Sequence, residues 1–177
     1  VSIVERPGYH KLRIISDVAV IPLPDFKQKM KQIGYLAQTA NLLGITTPKI
    51  ACIAPSEQVL PNVISSTEGA LLAKMGDRGQ LGNVIIDGPL SLDVALYKEV
   101  AEHKKVKGSS VAGDPDCLLF PNLESANVFF KSTTHLCGGE LAAMVMGTKL
   151  PSVLTSRGDS TRTKLYSLAL SSLAVTH

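Results

Sequence analysis

The stretch DFKQKMKQIGYLAQTANLLGITTPKIACIA, residues 25–54, contains a complete helix-to-strand unit and decides the fold class. Apolar residues recur every three or four positions from Asp25 to Leu43, which predicts an amphipathic helix over that range. Gly44 ends the pattern and Pro48 lies just beyond it, as is typical after a helix C terminus. The apolar run KIACIA (49–54) then predicts a buried strand.

The same alternation of strands and helices continues on both sides of this unit. Further strands are predicted at 11–16, 82–88, 116–120, 141–147 and 152–156, and further helices at 65–75, 91–105, 126–136 and 160–175. Such alternation builds parallel strands that are covered by helices on both faces. We therefore expect residues 1–177 to form a single α/β domain, a three-layer α/β/α sandwich with a largely parallel sheet.

Composition limits both the size and the class of the protein. The chain has 177 residues, of which 45% are hydrophobic and 19% charged, and this suits one globular domain and excludes a mainly disordered chain. A net charge of +3, with four Tyr, four Phe and no Trp, disfavours a nucleic-acid binder. No apolar stretch approaches the length of a membrane span, and the N terminus lacks the form of a signal peptide. We expect a cytoplasmic protein with no membrane partner.

Cysteine and histidine spacing bears on redox state and metal binding. Cys52, Cys117 and Cys137 are odd in number, widely spaced and set in apolar runs, which is typical of reduced thiols in a cytosolic protein. The four histidines form no HxxxH pair, so we expect no metal site.

Three loops carry the polar residues that suit a ligand site. They are IIDGPLSLD (85–93), FPNLESANVFFK (120–131) and LTSRGDSTR (154–162), and each follows a predicted strand and enters a predicted helix. Ligands of parallel α/β sheets bind outside the carboxyl ends of the strands. We therefore expect all three loops to face one rim of the sheet.

The third loop has the richest chemistry. Ser156, Arg157, Asp159 and Ser160 precede a predicted helix, whose free backbone N–H groups and dipole favour an anion. Arg157 is suited to hold a phosphate through two hydrogen bonds, and Asp159 to act as a base or to orient Arg157. The alternative is that Asp159 or Ser160 is a helix N-cap and Arg157 a solvated side chain. Sequence alone leaves both interpretations open.

The other two loops are less specific. Asn127 and Lys131 are one helical turn apart, so both can contact one ligand, but a cap and a surface lysine explain them equally well. Asp87-Gly88-Pro89 predicts a turn, and Asp93 suits the first turn of a helix. The residues by themselves therefore predict an α/β domain with an anion site.

Four longer segments carry a resemblance to a known family. They are PKIACIAPSE (48–57), MGDRGQLGNVIIDGPLSLDVAL (75–96), VAGDPDCLLFPNLESANVFFK (111–131) and LTSRGDS (154–160). With them, over essentially the whole chain, the sequence resembles the phosphate acetyl/butyryl transferase family, and TSRGDS is closer to its butyryl-like branch. The resemblance implies an isocitrate/isopropylmalate dehydrogenase-like fold.

The activity that the resemblance implies is reversible transfer of a short acyl group between coenzyme A and inorganic phosphate. Coenzyme A is then a substrate, and no permanently bound cofactor or metal is required. Ser156 would hydrogen-bond the sulfur of coenzyme A or the reacting oxygen, Arg157 would bind phosphate and stabilise the transition state, and Asp159 would be the base. Substrate binding would fall to four flanking polar residues: Asn127, Lys131, Thr155 and Ser160.

Some positions depart from the family pattern. The acetyl-specific branch has an acidic residue seven positions after the serine, where this chain has Thr163. Ala126 replaces a usual glycine, which would cost stability or access if that backbone needs a positive φ. Phe130 replaces a common tyrosine. Ala126 and the missing acid favour a second hypothesis, a non-catalytic module that binds coenzyme A or phosphate, whereas the intact Ser156-Arg157-Asp159 group opposes it. A dehydrogenase is disfavoured because clustered metal-binding aspartates and a dinucleotide fingerprint are missing.

The resemblance also bears on size and assembly. Members of the family have two α/β domains with the active site in the cleft between them, and they are homodimers. This chain matches the later half. We therefore expect it to correspond to most of the second domain, without the family's N-terminal domain, and to form a homodimer.

Overall fold

The helix predicted between Asp25 and Leu43 is present as α1, Phe26–Leu42, in a computed structural model that describes residues 1–175. The Asp25 carboxylate accepts the Gln28 backbone N–H at 2.7 Å, and the Gln28 side chain accepts the Asp25 N–H at 2.8 Å. This reciprocal capping box fixes the start of the helix. Gly44, with φ of 81°, turns the chain away at its end.

The strands build one six-stranded sheet. They are β1 (Ser2–Glu5), β2 (Arg13–Ser16), β3 (Lys49–Ile53), β4 (Ile85–Leu90), β5 (Cys117–Leu119) and β6 (Glu140–Ala143). Their order across the sheet is β4-β3-β5-β2-β1-β6. The pairs β2–β5, β3–β5 and β3–β4 are parallel, and β1 runs antiparallel to both of its neighbours, β2 and β6. The predicted largely parallel sheet is confirmed.

Five further helices complete the two outer layers. They are α2 (Ile64–Asp77), α3 (Leu92–Leu96), α4 (Lys98–His103), α5 (Leu123–His135) and α6 (Thr161–Val175). One apolar core joins the sheet to α1, α2 and α6, and a second joins the opposite face to α3, α4 and α5. The three-layer arrangement expected from the sequence is therefore present. None of the helices between residues 1 and 175 is long and apolar enough to cross a membrane.

Sequence patterns placed several elements wrongly. The helix predicted over 91–105 is two short helices, because Tyr97 adopts an extended conformation (φ −128°, ψ 118°) between them. The turn predicted at 87–89 is instead part of β4. Gly88 allows this because a Cβ there would lie 2.6 Å from the Cβ of Cys52 on the neighbouring strand. Strand β1 was not predicted at all.

The strand predicted over 152–156 is also absent. Only Ser152 pairs with the sheet region, in an isolated bridge to Val145. The chain then returns along the outer edge of β6, where the Ser167 hydroxyl of α6 accepts the N–H of Ala143 at 3.0 Å. Helix α6 therefore covers an edge strand whose backbone groups need partners.

Candidate functional site

Helix α6 begins at a capped N terminus. The Ser160 hydroxyl accepts the Thr163 backbone N–H at 3.1 Å, and the Ser160 carbonyl accepts the N–H of Lys164. Thr163 is buried, and its own hydroxyl is 3.1 Å from that of Ser160. Ser160 is thus the N-cap of α6, and Thr163, where the acetyl-specific branch carries an acid, packs beneath that cap.

The loop before α6 folds back on itself. Asp159 Oδ2 accepts the Ser156 backbone N–H at 2.7 Å, and the Ser156 hydroxyl accepts the Gly158 N–H at 3.4 Å. The carboxylate of Asp159 and the hydroxyl of Ser156 are therefore held in one tight turn. Within residues 1–175, only Oδ2 of Asp159 accepts a hydrogen bond, so Oδ1 is the oxygen left for a ligand or solvent.

A cavity of about 270 Å³ lies beside this turn, between the last turns of α5 and the first turn of α6. Its polar lining comes from both helices and from the start of β6: Lys131, His135, Glu140, Asp159, Ser160 and Thr163. The carboxylates of Asp159 and of Glu140, which is paired with Arg162, therefore share a single opening with a lysine, a histidine, hydroxyl groups and the N terminus of α6. Such a group of donors suits an oxyanion.

Three of the predicted site residues line this cavity, and four do not. Lys131, Asp159 and Ser160 line it. Thr155, Ser156 and Arg157 lie in the adjoining loop, and Arg157 is exposed. Asn127 points elsewhere, because its side-chain N–H₂ donates to the carbonyl of Val18 at 2.8 Å.

The three polar loops do not share one rim, so that prediction is wrong. A separate apolar cavity of about 650 Å³ at the carboxyl ends of β3 and β5 is lined instead by Leu92 of the first loop and by Phe120, Pro121, Glu124 and Ser125 of the second. The loop 154–162 instead lies near Glu140, at the amino end of β6. The reason is that the chain reverses after β6, as the antiparallel bridge between Val145 and Ser152 shows, and so runs back toward the amino end of that strand.

The departure at Ala126 proves harmless to the backbone. Ala126 is fully buried inside α5 and is not among the residues with positive φ. A glycine is therefore not required there by conformation, and the methyl group packs into the core instead of blocking the cavity.

Sequence reasoning missed the two other titratable residues of the cavity, His135 and Glu140. His135 follows Lys131 by four positions on α5, a spacing that places both on one helix face and could have revealed it. Glu140 has no such signal, since it follows two glycines at the start of β6. Its carboxylate pairs with Arg162 of α6 at 3.0 Å.

Two of the three cysteines, Cys52 and Cys117, are buried and give no alternative nucleophile, whereas the third, Cys137, is exposed. Burial raises the pKa of Cys52 to about 12 and also raises the pKa of Cys117. Both therefore stay protonated near neutrality, where a thiolate would be needed for attack. Among residues 1–175, no group of three or more His, Cys, Asp or Glu side chains could hold a metal ion.

Comparison with known proteins places this geometry in context. The phosphate acetyl/butaryl transferase family matches residues 1–172. A phosphate butyryltransferase of Clostridium beijerinckii is 42% identical over 98% of this chain and 57% of its own length. A phosphate acetyltransferase of Thermotoga maritima is 40% identical over 98% of this chain and 58% of its own length.

Solved structures agree with the sequence comparison. A branched-chain phosphotransacylase from Enterococcus faecalis superposes with a TM-score of 0.90 at 31% identity, covering 99% of this chain and 62% of that protein. A phosphotransacetylase from Staphylococcus aureus gives a TM-score of 0.80 at 27% identity over 54% of its length. The chain thus spans somewhat more than half the length of the proteins that it matches.

Proposed function

Because the chain belongs to the phosphate acetyl/butyryl transferase family, we propose that it carries part of the active site for reversible acyl transfer between coenzyme A and inorganic phosphate. The reaction is acyl-CoA plus phosphate giving acyl phosphate plus coenzyme A. The observation that carries this proposal is the cavity at the start of α6, where Lys131, Asp159 and Ser160 meet.

Phosphate binding is assigned to the cationic and N–H groups of this region. The N terminus of α6 directs its dipole at the cavity, and Lys131 adds a full positive charge there. Arg157 lies one residue from Ser156 on the exposed side of the same turn. A rotation of its long side chain brings two N–H groups to a phosphoryl oxygen, which stabilises charge that develops in the transition state.

Proton transfer is assigned to Asp159. A free thiol has a pKa near 8.5, so a base must help coenzyme A to attack the acyl phosphate. Asp159 Oδ2 is held by the Ser156 N–H, which orients the carboxylate and leaves Oδ1 to accept the thiol proton. The sulfur then bonds to the acyl carbon, the carbon–oxygen bond breaks, and phosphate leaves with the electron pair. Ser156 is part of the same turn, and we assign its hydroxyl to hydrogen-bond the sulfur or the reacting oxygen.

Other features of the function are part of the same proposal. We assign a short or branched acyl group, because TSRGDS is closer to the butyryl-like branch. We assign this chain to the second of two α/β domains, with the first domain supplying the opposite wall of the cleft. A cytoplasmic homodimer is supported by three cysteines without disulfides and by exposed leucines on α6.

The test is thioester formation from coenzyme A and acetyl, butyryl or isobutyryl phosphate. We expect Arg157→Ala to lower kcat/KM by about a hundredfold or more, as the loss of one preorganised charge donor does. Arg78→Ala is the matched control, because Arg78 is an exposed arginine at the far end of α2. Near-normal turnover in Arg157→Ala would contradict the proposed role.

A second candidate is a module that binds coenzyme A or phosphate without turnover. Two observations favour it. Thr163 is buried at the position where one branch of the family has an acid, and the Asn127 side chain donates its hydrogen bond to the carbonyl of Val18. Measurable coenzyme A binding with no thioester formation from any of the three acyl phosphates, when the first domain is also present, would favour this module over the enzyme.

A further inference from the structure

A cluster of two arginines and two tyrosines lies on the sheet face covered by α3, α4 and α5. Arg6 follows β1, Tyr9 lies in the turn between β1 and β2, Arg13 opens β2, and Tyr97 lies between α3 and α4. Arg13 pairs with Val4 across β1 and β2, so both side chains point to the same face, and Val4 belongs to the core on that side. None of these four residues lines the candidate cavity at α6.

Arg13 is an unusual buried charge. Only 3% of it is exposed, and its guanidinium lies over the Tyr9 ring at 3.2 Å from the ring centroid. Its Nε and Nη2 atoms are buried and lack a hydrogen-bond partner, as does the buried hydroxyl of Tyr9. Buried polar groups normally have partners, and unpaired charged groups are the costliest exceptions.

Arg6 brings a second positive charge to the same place. Its Nη1 donates to the Tyr97 hydroxyl oxygen at 2.6 Å, which leaves the Tyr97 O–H proton free to donate in turn. Burial lowers the pKa of Arg13, the Tyr9 contact opposes this, and the charge of Arg6 lowers it further, so the two guanidinium groups are close enough to repel. Neither arginine forms an ion pair with a carboxylate of the described chain.

Arg162 makes a similar contact to a tyrosine but, unlike Arg6 and Arg13, has a carboxylate partner. It also donates to a tyrosine, Tyr166, at 2.9 Å, but Glu140 neutralises its charge at 3.0 Å. Within residues 1–175, an arginine therefore donates a hydrogen bond to a tyrosine hydroxyl in two places, once beside a carboxylate and once without one.

We propose that Arg6, Arg13, Tyr9 and Tyr97 form a second oxyanion site, which takes a phosphate group. Two guanidinium charges without a carboxylate match the charge of a phosphate, which lies between one and two negative charges at neutral pH. Free guanidinium N–H and phenol O–H groups supply several donors for its oxygens. The site itself follows from the cluster, whereas the source of the phosphate rests on the proposed function. It is either free inorganic phosphate or a phosphate ester of coenzyme A.

The first experiment separates this site from the loop before α6. The full chain carrying Arg157→Ala is titrated with inorganic phosphate by calorimetry, with chloride at the same ionic strength as reference. We expect phosphate binding to persist in this background and to weaken by about tenfold or more when Arg6→Gln is added, as the loss of a charge-assisted hydrogen bond implies. The matched control, Arg78→Gln, removes an exposed positive charge at the end of α2, away from both sites, and leaves the Kd within about twofold.

Two results would overturn the site. One is the absence of phosphate binding in the Arg157→Ala chain, and the other is an equal loss in Arg78→Gln, which would indicate attraction by net charge alone. Arg13→Met, which keeps the length of the buried side chain, is the second variant and must weaken phosphate binding by about tenfold or more while the protein stays folded by circular dichroism. Equally tight binding of succinate would overturn the assignment to phosphate.

A last titration identifies the source of the phosphate. Coenzyme A and dephospho-coenzyme A, which lacks the 3′-phosphate, are titrated into the original chain and into Arg6→Gln. A tenfold loss confined to coenzyme A identifies the ester phosphate, and a loss confined to inorganic phosphate identifies the free ion. Absence of acyl transfer by the unsubstituted chain in the presence of the first domain, with these affinities unchanged, would contradict the proposed function and leave the second site intact.

Discussion

Ser160 combines two roles that a single alanine substitution cannot separate. Its hydroxyl caps α6 by accepting the Thr163 N–H, and the residue also lines the candidate cavity. We predict that Ser160→Ala lowers the free energy of unfolding by about 1 kcal/mol, because an N-cap acceptor is lost. Urea titration followed by circular dichroism measures this change.

The matched variant Ser160→Asp separates the roles. Aspartate is as good an N-cap as serine, so stability is expected to stay within about 0.5 kcal/mol of the original protein. Its negative charge nevertheless faces the cavity and is expected to weaken phosphate binding. If Ser160→Asp instead binds phosphate normally, the cavity is not the anion site.

The ion pairs of Asp114 predict how the stability of the protein changes in acid. It accepts ion pairs from Lys11 at 2.8 Å and Lys49 at 3.0 Å, across the amino ends of β2 and β3. Burial by itself raises the pKa of Asp114, but the hydrogen bonds from the two lysines outweigh it and lower the pKa to about 2.

A carboxylate whose pKa is lowered by folding stabilises the protein above its unfolded pKa of about 4, and that contribution is lost as the pH falls toward 2. We predict a falling urea midpoint between pH 4 and pH 2, and a shallower fall in Asp114→Asn. Asp77→Asn, in an exposed pair with Lys74, is the control. Parallel pH curves for the original protein and Asp114→Asn would contradict this assignment.

At the scale of elements, the contact between α1 and α2 contains a buried ion pair. Lys29 of α1 donates to Glu68 of α2, and their side chains are only 6% and 18% exposed. We predict that Glu68→Gln destabilises the protein by about 3–5 kcal/mol, because it leaves the Lys29 charge buried without its counterion. The measurement is the free energy of unfolding in urea.

The double variant Lys29→Met/Glu68→Leu tests the cause. Replacing both charges with apolar groups of similar size is expected to recover most of the loss. Lys74→Gln, which breaks an exposed pair with Asp77, is expected to cost less than about 1 kcal/mol. A double variant as unstable as Glu68→Gln would mean that packing, and not the unpaired charge, is responsible.

Elements with a long periodic pattern were predictable from sequence, and short ones were not. Helix α1 was predicted within one residue at each end, because its apolar stripe, capping residue and Gly44 all agree. Strand β1 has four residues and depends on β2 and β6 for its pairing, which no local pattern reveals. The 91–105 helix pattern was continuous, yet Tyr97 interrupts it through the tertiary structure.

The candidate site was predictable to a similar degree. The sequence predicted three of the cavity residues, Lys131, Asp159 and Ser160, because they lie where loops enter helices. Polar residues at such positions serve either as helix caps or as ligand contacts. Their meeting with Glu140 was not predictable, because it depends on the path of α6 along the edge of β6. Asn127 fitted the sequence pattern, but Val18, more than a hundred positions away, accepts its side-chain hydrogen bond.

At the scale of the whole molecule, α6 is covered on one side only. Ser167 and Leu170 are buried against the sheet, whereas Leu165 and Leu168 are 62% and 59% exposed. A helix that is apolar on all sides is normally buried on all sides. The open face therefore indicates a further protein surface over α6, and the proposed homodimer supplies one from a second copy of this chain.

We predict that the chain is a dimer in sedimentation experiments and that Leu165→Glu/Leu168→Glu makes it monomeric. Two buried carboxylates from each copy would face each other across such a contact, and their desolvation and repulsion oppose association. Leu71→Glu is the matched control, because Leu71 is an equally exposed leucine (56%) on α2 and lies outside the α6 face. A dimer that survives both α6 substitutions would place the interface elsewhere. A chain that is monomeric before any substitution would leave the α6 face to a different polypeptide.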